Sequence, residues 1–575
     1  QYNDIRGIVN TVAATTAFSH TFISNTASTT SQNISFNTFT NLNINSTGTV
    51  VFIGNYVAAT SFKTINSNSI VGTFNKAGAS GSVILYNDYG ASAAGIVINN
   101  NSNNFSNITV SGTTTITGWL NTDGASPYPT KTINNNTFSN WSLGSGNVVA
   151  MSLNNLGGTS SVSTNTISGI SSSGTVSGIN LLGSGAATSL SVNNNSISSL
   201  SGSSTVGISG AQPAGTLTLN INSNTISNLS SSTTTAYAIF DGSACPTKNI
   251  SSNNINSISS NNGTIATAIT SSNGTAVTID NNTIANVSST ATAIVTAILV
   301  NSGSAIGVNN NIISSLSSAN NGNFRGILVS LLGATSNTIT GNSINGMTST
   351  SAGASASVRG IEVQGTNSGN INSNSISNIN TTTTNVGIGT SAAVVGLYYG
   401  SSGASSNIND NTISSINATS TSAINVSVAG LITSSTTSGG TIARNKIYNI
   451  TNATTGTTNS TFGCYPNGGN WTFANNMISL MNNQTVQAFG IYDNGAAGAR
   501  KYYYNSIYIG GTHGGTHMSA ALQYNAVSGV TADIKNNILV NERNSSGKNY
   551  AIANTNAVFT GMTMNYNVLN ASNVN

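Results

Sequence analysis

Ile221-Asn222-Ser223-Asn224-Thr225-Ile226 is one copy of a hexad that recurs along the chain: an apolar residue, two polar residues, Asn, any residue, then Ile, Phe or Leu. Ile133-Asn134-Asn135-Asn136-Thr137-Phe138 and Ile371-Asn372-Ser373-Asn374-Ser375-Ile376 are two more. The anchoring asparagines are Asn37, Asn68, Asn103, Asn136, Asn165, Asn195, Asn224, Asn253, Asn282, Asn311, Asn342, Asn374, Asn411, Asn445, Asn476, Asn505, Asn537 and Asn567. Two residues after each anchor stands Ile, Phe or Leu, and three before it stands an apolar residue in every copy but one, where Asn100 replaces it. The repeat length is about 31 residues, the range in which each repeat is one unit of a solenoid or propeller.

A second pattern falls between anchors, a Gly or Ala followed by an apolar residue: Gly178-Ile179, Gly207-Ile208, Ala238-Ile239, Gly326-Ile327, Gly360-Ile361, Gly396-Leu397 and Gly463-Cys464 among others. A third apolar position lies five after the anchor, as at Ile170, Leu200, Leu229 and Ile258. Short segments rich in Ile, Val and Thr between Gly, Ser and Asn stretches read as strands with turns, and no segment carries capped helical periodicity. The apolar positions three before and two after the anchor break strict alternation, so a corner between them is needed for both to point inward. Asn tolerates the left-handed conformation of such a corner, and its amide can bond to the Asn one coil away, about 4.8 Å off, as a ladder. The sequence predicts an all-β chain folded as a right-handed parallel β-helix, a β-solenoid of about 18 coils with roughly 29–37 residues and three short strands per coil. Its Asn ladder runs along the anchors, most regularly Asn136 to Asn505.

By this pattern 1–575 is expected to form one continuous solenoid with four regions: less regular coils over 1–132, the most regular over 133–345, longer loops over 346–475, and a Tyr-rich stretch over 476–575. Charged residues are 4% of the chain, against about 25% in ordinary globular proteins. Stacking explains this: like charges one coil apart repel by about 0.9 kcal/mol even in water, whereas Ser, Thr and Asn columns can hydrogen-bond along the axis. The formal net charge of +4 is spread over scattered residues, which argues against a nucleic-acid surface. No apolar run reaches the length of a transmembrane helix. The chain opens on Gln1 rather than Met and stops just after the last anchor, which suggests a processed or truncated product, or one whose uncovered ends stack.

The hexads resemble those of pectin-lyase-like right-handed parallel β-helix proteins. The stretch Tyr502-Tyr503-Tyr504-Asn505-Ser506-Ile507-Tyr508-Ile509-Gly510-Gly511, followed by Asn536-Asn537-Ile538-Leu539-Val540-Asn541, is similar to large secreted or surface β-helix proteins of Bacteroidota-type bacteria. The resemblance implies a secreted, extracellular location; activity varies widely within such a fold.

Lyases and hydrolases of such folds need clustered acids, and this chain has ten acidic residues in all. Asp280 and Asp410 both lie in pre-anchor corners, about 19 Å apart by coil count, beyond the reach of a carboxylate pair. Asp493, Asp533 and Glu542 lie on nearby coils at different points of the repeat. Arg325 and Arg359 occupy equivalent sites before the Gly-Ile pair on adjacent coils and could receive an acidic sugar, with Glu362 close enough to neutralise them. Arg500 and Lys501 beside Tyr502 and Tyr503 form the most basic and aromatic patch. His513 and His517 are four apart, but their Gly-rich setting gives no helix to align them for a metal. Cys464 takes an apolar core position, and Cys245 lies too many coils away to pair with it.

The function expected is an extracellular structural or adhesive β-helix that forms or decorates a surface fibre, sheath or filament. It is expected to be non-catalytic, with no cofactor or metal, self-associating end to end or laterally, or contacting cell surfaces or polysaccharide. The alternative is a carbohydrate-active or carbohydrate-binding β-helix of the lyase or hydrolase kind; ice binding through Thr columns is less favoured because Thr does not recur at one outward position.

Overall fold

The structure is a computed structural model and describes every residue except 1, 11–15, 291–292, 332–335, 421, 436, 482–485, 496, 513, 526–528, 556–560 and 573–575. It is all-β, a parallel β-helix of the right-handed type with three strands per turn and about 17 turns. The one helical segment among the described residues is a short 3-10 turn, Gly389–Ser391. The chain divides into two compact units, Gln1–Thr283 and Ile284–Asn575, a boundary inside the most regular coils rather than at a change of loop length.

One coil shows how the sequence builds all of them. The strand before the anchor, Thr218–Asn222, turns Leu219 and Ile221 inward by plain alternation. Ser223 then takes a φ of 56° and turns the chain. After the anchor, Thr225–Ser231 buries Ile226 and Leu229, and the third strand, Thr235–Asp241, buries Ala236, Ala238 and Ile239. Each strand pairs in parallel with its counterpart one coil on, so that Ile197, Ile226 and Ile255 stack in one column and Leu200, Leu229 and Ile258 in another. We call the three sheets I, II and III in this order. Each such side chain contributes about 1.5–3 kcal/mol by leaving water, and a full column is repeated burial of this kind.

The structure corrects the expectation about the corner. The left-handed residue is the one before the anchor, as at Asn135, Thr164, Asn194, Ser223 and Ser373. The anchoring Asn instead points inward and is buried throughout, from Asn136 and Asn165 to Asn476 and Asn505. A second left-handed residue, four after the anchor, went unforeseen: Asn140, Ser199, Asn228, Ser257, Ser315, Asn378 and Asn449. This one-residue bulge lets the apolar positions two and five after the anchor face the same way. After Asn476 and Asn505 the bulge is gone, and Ile478 and Leu480, then Ile507 and Ile509, turn inward by simple alternation.

The Gly-apolar pair sits where sheet III faces sheet II. A Cβ on Gly207 would lie 2.6 Å from the Ala238 carbonyl oxygen, and one on Gly360 the same distance from that of Gly396. The column is therefore kept to Gly and Ala, and the Ile, Leu or Cys beside it fills the core. Cys464 is fully buried, as its place in that pattern predicts, and both Cys245 and Cys464 are free thiols.

Candidate functional site

The anchors form the ladder within each unit. In the first, Asn37, Asn68, Asn103, Asn136, Asn165, Asn195, Asn224, Asn253 and Asn282 follow one another, and Asn3, which lacks the full hexad, joins ahead of Asn37. In the second, Asn311, Asn342, Asn374, Asn411, Asn445, Asn476, Asn505, Asn537 and Asn567 do the same. A typical Asn accepts at Oδ1 from both the backbone N–H and the Nδ2 of the Asn one coil earlier, and its own Nδ2 also donates to a carbonyl in the preceding coil, as Asn224 does to Val192 at 2.8 Å. A buried amide so fully satisfied is architecture and has nothing left to offer a ligand.

Off the ladder, one inward column of the repeat carries buried cations. Five residues before an anchor the side chain faces inward; Leu190, Leu219 and Val277 hold that place in regular coils, but Lys63, Lys131, Lys248 and Arg500 hold it in four others. Each cation meets polar groups from the end of a sheet III strand. In the first unit Lys63 lies 2.9 Å from Asp88 and 2.6 Å from Asp123, all three fully buried. Lys131 donates to Asn121 Oδ1 and the Asn154 carbonyl, both at 2.7 Å, and burial holds its ammonium down at about 7. Burial also raises the Asp88 carboxyl, against the pull of Lys63. Lys248 lies 2.7 Å from Asp241. In the second unit Arg500 lies 3.3 Å from Asp493, which also accepts from the Tyr502 hydroxyl at 2.7 Å.

Arg500 therefore does not share a surface with the residues grouped with it in the sequence. Lys501 and Tyr503 alternate to the outside of sheet I, where the Tyr503 hydroxyl donates to Asp533 at 2.6 Å and Lys535 lies 2.9 Å from the same carboxylate. The Tyr503 bond holds the Asp533 carboxyl down at about 2. Glu542 sits elsewhere, accepting from Tyr508 and Asn570 at 3.3 Å, so Asp493, Asp533 and Glu542 are separately engaged. Asp410 pairs with Arg444 in a two-bond contact at 2.7 Å on the surface. His513 lies outside the described residues. Among the described residues no group of three or more His, Cys, Asp and Glu is placed to hold a metal ion, and no helix is long and apolar enough to cross a membrane.

The one expected pairing that the structure assembles into a recess is that of Arg325 and Arg359. They are register neighbours on the outer face of sheet III and share Glu362: Arg325 Nε donates to one carboxylate oxygen, Arg359 Nη1 to the other at 2.5 Å, and Gln364 also donates there. The Arg359 guanidinium lies 3.5 Å from the centre of the Tyr398 ring. Asn385, Thr390 and Ser391 overhang the three, enclosing a pocket of about 450 Å³. Exposure is only 3%, 9% and 1% for Arg325, Arg359 and Glu362, so the pair is largely desolvated, and burial holds Arg325 down at about 10.

The overhang has its own cause. Beyond Arg359 the same outward column reads Val395, Ala429, Phe462, Phe489 and Ala520. Together with Ile432, Tyr465 and Ala392 these residues form a second apolar core outside the coil interior. Residues 385–392 lie across it, with Gly389 at a φ of 60° against the Tyr465 ring. Phe462 stacks on Phe489 and Tyr465 on Tyr492, with centroids 5.7 and 5.4 Å apart, so these rings turn their faces to each other rather than outward. The sequence signal was present in Val394-Val395-Gly396-Leu397-Tyr398-Tyr399, a strand apolar on both faces, which marks burial on both sides.

The fold thus defines the chain as a parallel β-solenoid with an internal Asn ladder. No protein-family model, curated protein or solved structure matches it.

Proposed function

We propose that the chain is an extracellular structural or adhesive β-helix that forms or decorates a surface fibre, sheath or filament, without catalytic activity. The observation that carries this reading is where the acids are spent. Eight of the ten acidic residues, Asp4, Asp88, Asp123, Asp241, Glu362, Asp410, Asp493 and Asp533, lie in ion pairs with Lys or Arg. The acid–base chemistry of a glycoside hydrolase uses two carboxylates held across the scissile bond and able to exchange protons. The carbohydrate-active alternative would centre on the Arg325–Arg359 pocket, but both oxygens of Glu362 there are already engaged by donors from two arginines and Gln364.

Kinship with pectin-lyase-like β-helices and with surface proteins of Bacteroidota-type bacteria belongs to this reading, on the strength of the hexads and of Tyr502 to Gly511. So does self-association, end to end or lateral, because the main-chain pairing that joins one coil to the next is not specific to coils of one chain. Electron microscopy of the native material tests it. Ordered filaments, tubes or a surface layer are the expected result. Dispersed particles at high concentration, together with cleavage of a polysaccharide, would overturn it.

A further inference from the structure

Among the described cations in the inward column five before the anchor, Lys63 alone has two carboxylates within ion-pair distance. It stands on the sheet I strand Ala59–Asn66, and its column continues as Gln32 on one side and Ile98 on the other. Asp88 closes the sheet III strand Ser82–Asp88, in register between Asn55 and Asn121. The two strands belong to one coil, and both side chains turn into it. The Lys63 ammonium lies 2.9 Å from Asp88 Oδ1 and 2.6 Å from Asp123 Oδ2, and none of the three side chains has exposed surface. Asn55 Nδ2 donates to Asp88 Oδ1 at 3.3 Å, and the Ser92 N–H donates to Asp123 Oδ1 at 3.0 Å. The other inward cations are equipped differently: Lys131 donates to an amide and a main-chain carbonyl, Lys248 meets one carboxylate, and Arg500 carries no nucleophilic amine.

We infer that Lys63 and Asp88 condense into an amide, a covalent cross-link that closes residues 63–88 into a ring around one coil, with Asp123 relaying the protons. Asp123 takes a proton from the Lys63 ammonium, and the freed Nζ attacks Asp88 Cγ. A C–N bond forms and one Cγ–O bond breaks. Of the three ammonium protons, one stays on the amide nitrogen and two leave with that oxygen as water, passed on by Asp123, which ends as the carboxylate it began. No oxidant or other reactant enters, and the event occurs once per chain. Asn55 already donates to the oxygen that carries the charge of the tetrahedral intermediate. Burial raises the Asp88 carboxyl, toward the neutral acid that an amine attacks. An amine held against its target acts at an effective concentration of about 10⁵–10⁸ M, and the product replaces a buried ion pair, which pays a desolvation penalty, with a neutral amide. A plain ion pair explains less of the site. One carboxylate neutralises a buried lysine; the second, Asp123, is what a proton relay requires.

The cross-link does not depend on filament formation, since a dispersed chain carries the same three residues. The intact mass of the full chain, folded and then denatured for measurement, tests it, together with fragmentation of a protease digest. The chain is expected to weigh one water less than its sequence, with a branched peptide joining the segments around Lys63 and Asp88. Lys63→Met and Asp88→Ala should each restore the full mass. Asp123→Asn keeps the shape but relays no proton, and should leave less than about a tenth of the chain cross-linked when the parent is complete. Full sequence mass in the folded parent overturns the inference, and that measurement needs no variant to fold. A loss of water that persists in Lys63→Met also overturns it, as does one that fragmentation places at Asp123-Gly124, where a main-chain succinimide gives the same change in mass.

Discussion

The Oδ1 of Asn253 accepts two hydrogen bonds from Asn224, one from its backbone N–H and one from its Nδ2, both at 3.0 Å. This two-pronged contact joins the corner's main chain and side chain to the next coil at once, and it repeats along each unit. Asn224 in turn accepts from Asn195 in the same way and donates to the Val192 carbonyl. Asn224→Ala takes the acceptor from the Asn195 backbone N–H and from one Nδ2 hydrogen of Asn195, whose other still reaches the Val162 carbonyl, and removes the amide donor to the Val192 carbonyl; each lost buried bond costs about 1–3 kcal/mol. A loss of at least about 3 kcal/mol is expected in hydrogen-exchange protection of the coils around it. Asn222, half-buried two residues earlier, gives the contrast: Asn222→Ala should cost less than about 1 kcal/mol. Equal costs would mean that the ladder adds nothing beyond an ordinary side-chain bond.

The ladder and the three-strand coil were legible because they rest on a strict spacing, and a spacing survives in sequence. The bulge four after the anchor was half-legible: Ile226 and Leu229, three apart on one strand, cannot share a face without an extra residue between them, yet no residue type marks the site, which is Asn at 228, Ser at 199 and Gly at 169. Arg500 was readable and misassigned. It stands two before Tyr502, which was already placed on the inward column, and alternation puts both on one face; composition drew it toward Lys501 instead. The overhang at Asn385–Ser391 was beyond reach from pattern alone, since it depends on which surface a loop covers and the loop carries no period.

Lys131 makes stability depend on pH. Its folded-state value is held at about 7 by burial, well below the 10.5 of an ordinary lysine. For a base held down in this way the unfolded chain binds the extra proton, so the contribution is present above about 10.5 and is lost as pH falls toward 7. The urea midpoint of the first unit should drop over that window with a slope of up to about 1.4 kcal/mol per pH unit. Lys131→Met should lessen the slope over that window, leaving the part that comes from Lys76, which burial holds down at about 8. An identical slope in the variant would assign the effect to another group.

Glu362 is the shared counter-ion of two buried arginines. Glu362→Gln leaves Arg325 and Arg359 facing each other without an anion, and breaking one side of a buried pair costs about 3–5 kcal/mol. The pocket formed with Asn385 and Thr390 should then take up an anion from solution. Sulfate should raise the melting temperature of the variant more than that of the parent. Equal shifts in both would show that the arginines find enough water or carbonyl partners to dispense with Glu362.

Tyr504 occupies the left-handed corner with a φ of 58° and is 58% exposed. The left-handed conformation costs a bulky residue about 1–2 kcal/mol, less for Asn, whose short amide bonds locally. The neighbouring corners hold Asn475 and Asn536 at φ values of 54° and 58°, so the position accepts Asn without rearrangement. Tyr504→Asn should therefore stabilise the surrounding coils by about 0.5–1 kcal/mol in hydrogen exchange. A destabilised variant would show that the exposed ring is held by contacts worth more than the strain of its backbone.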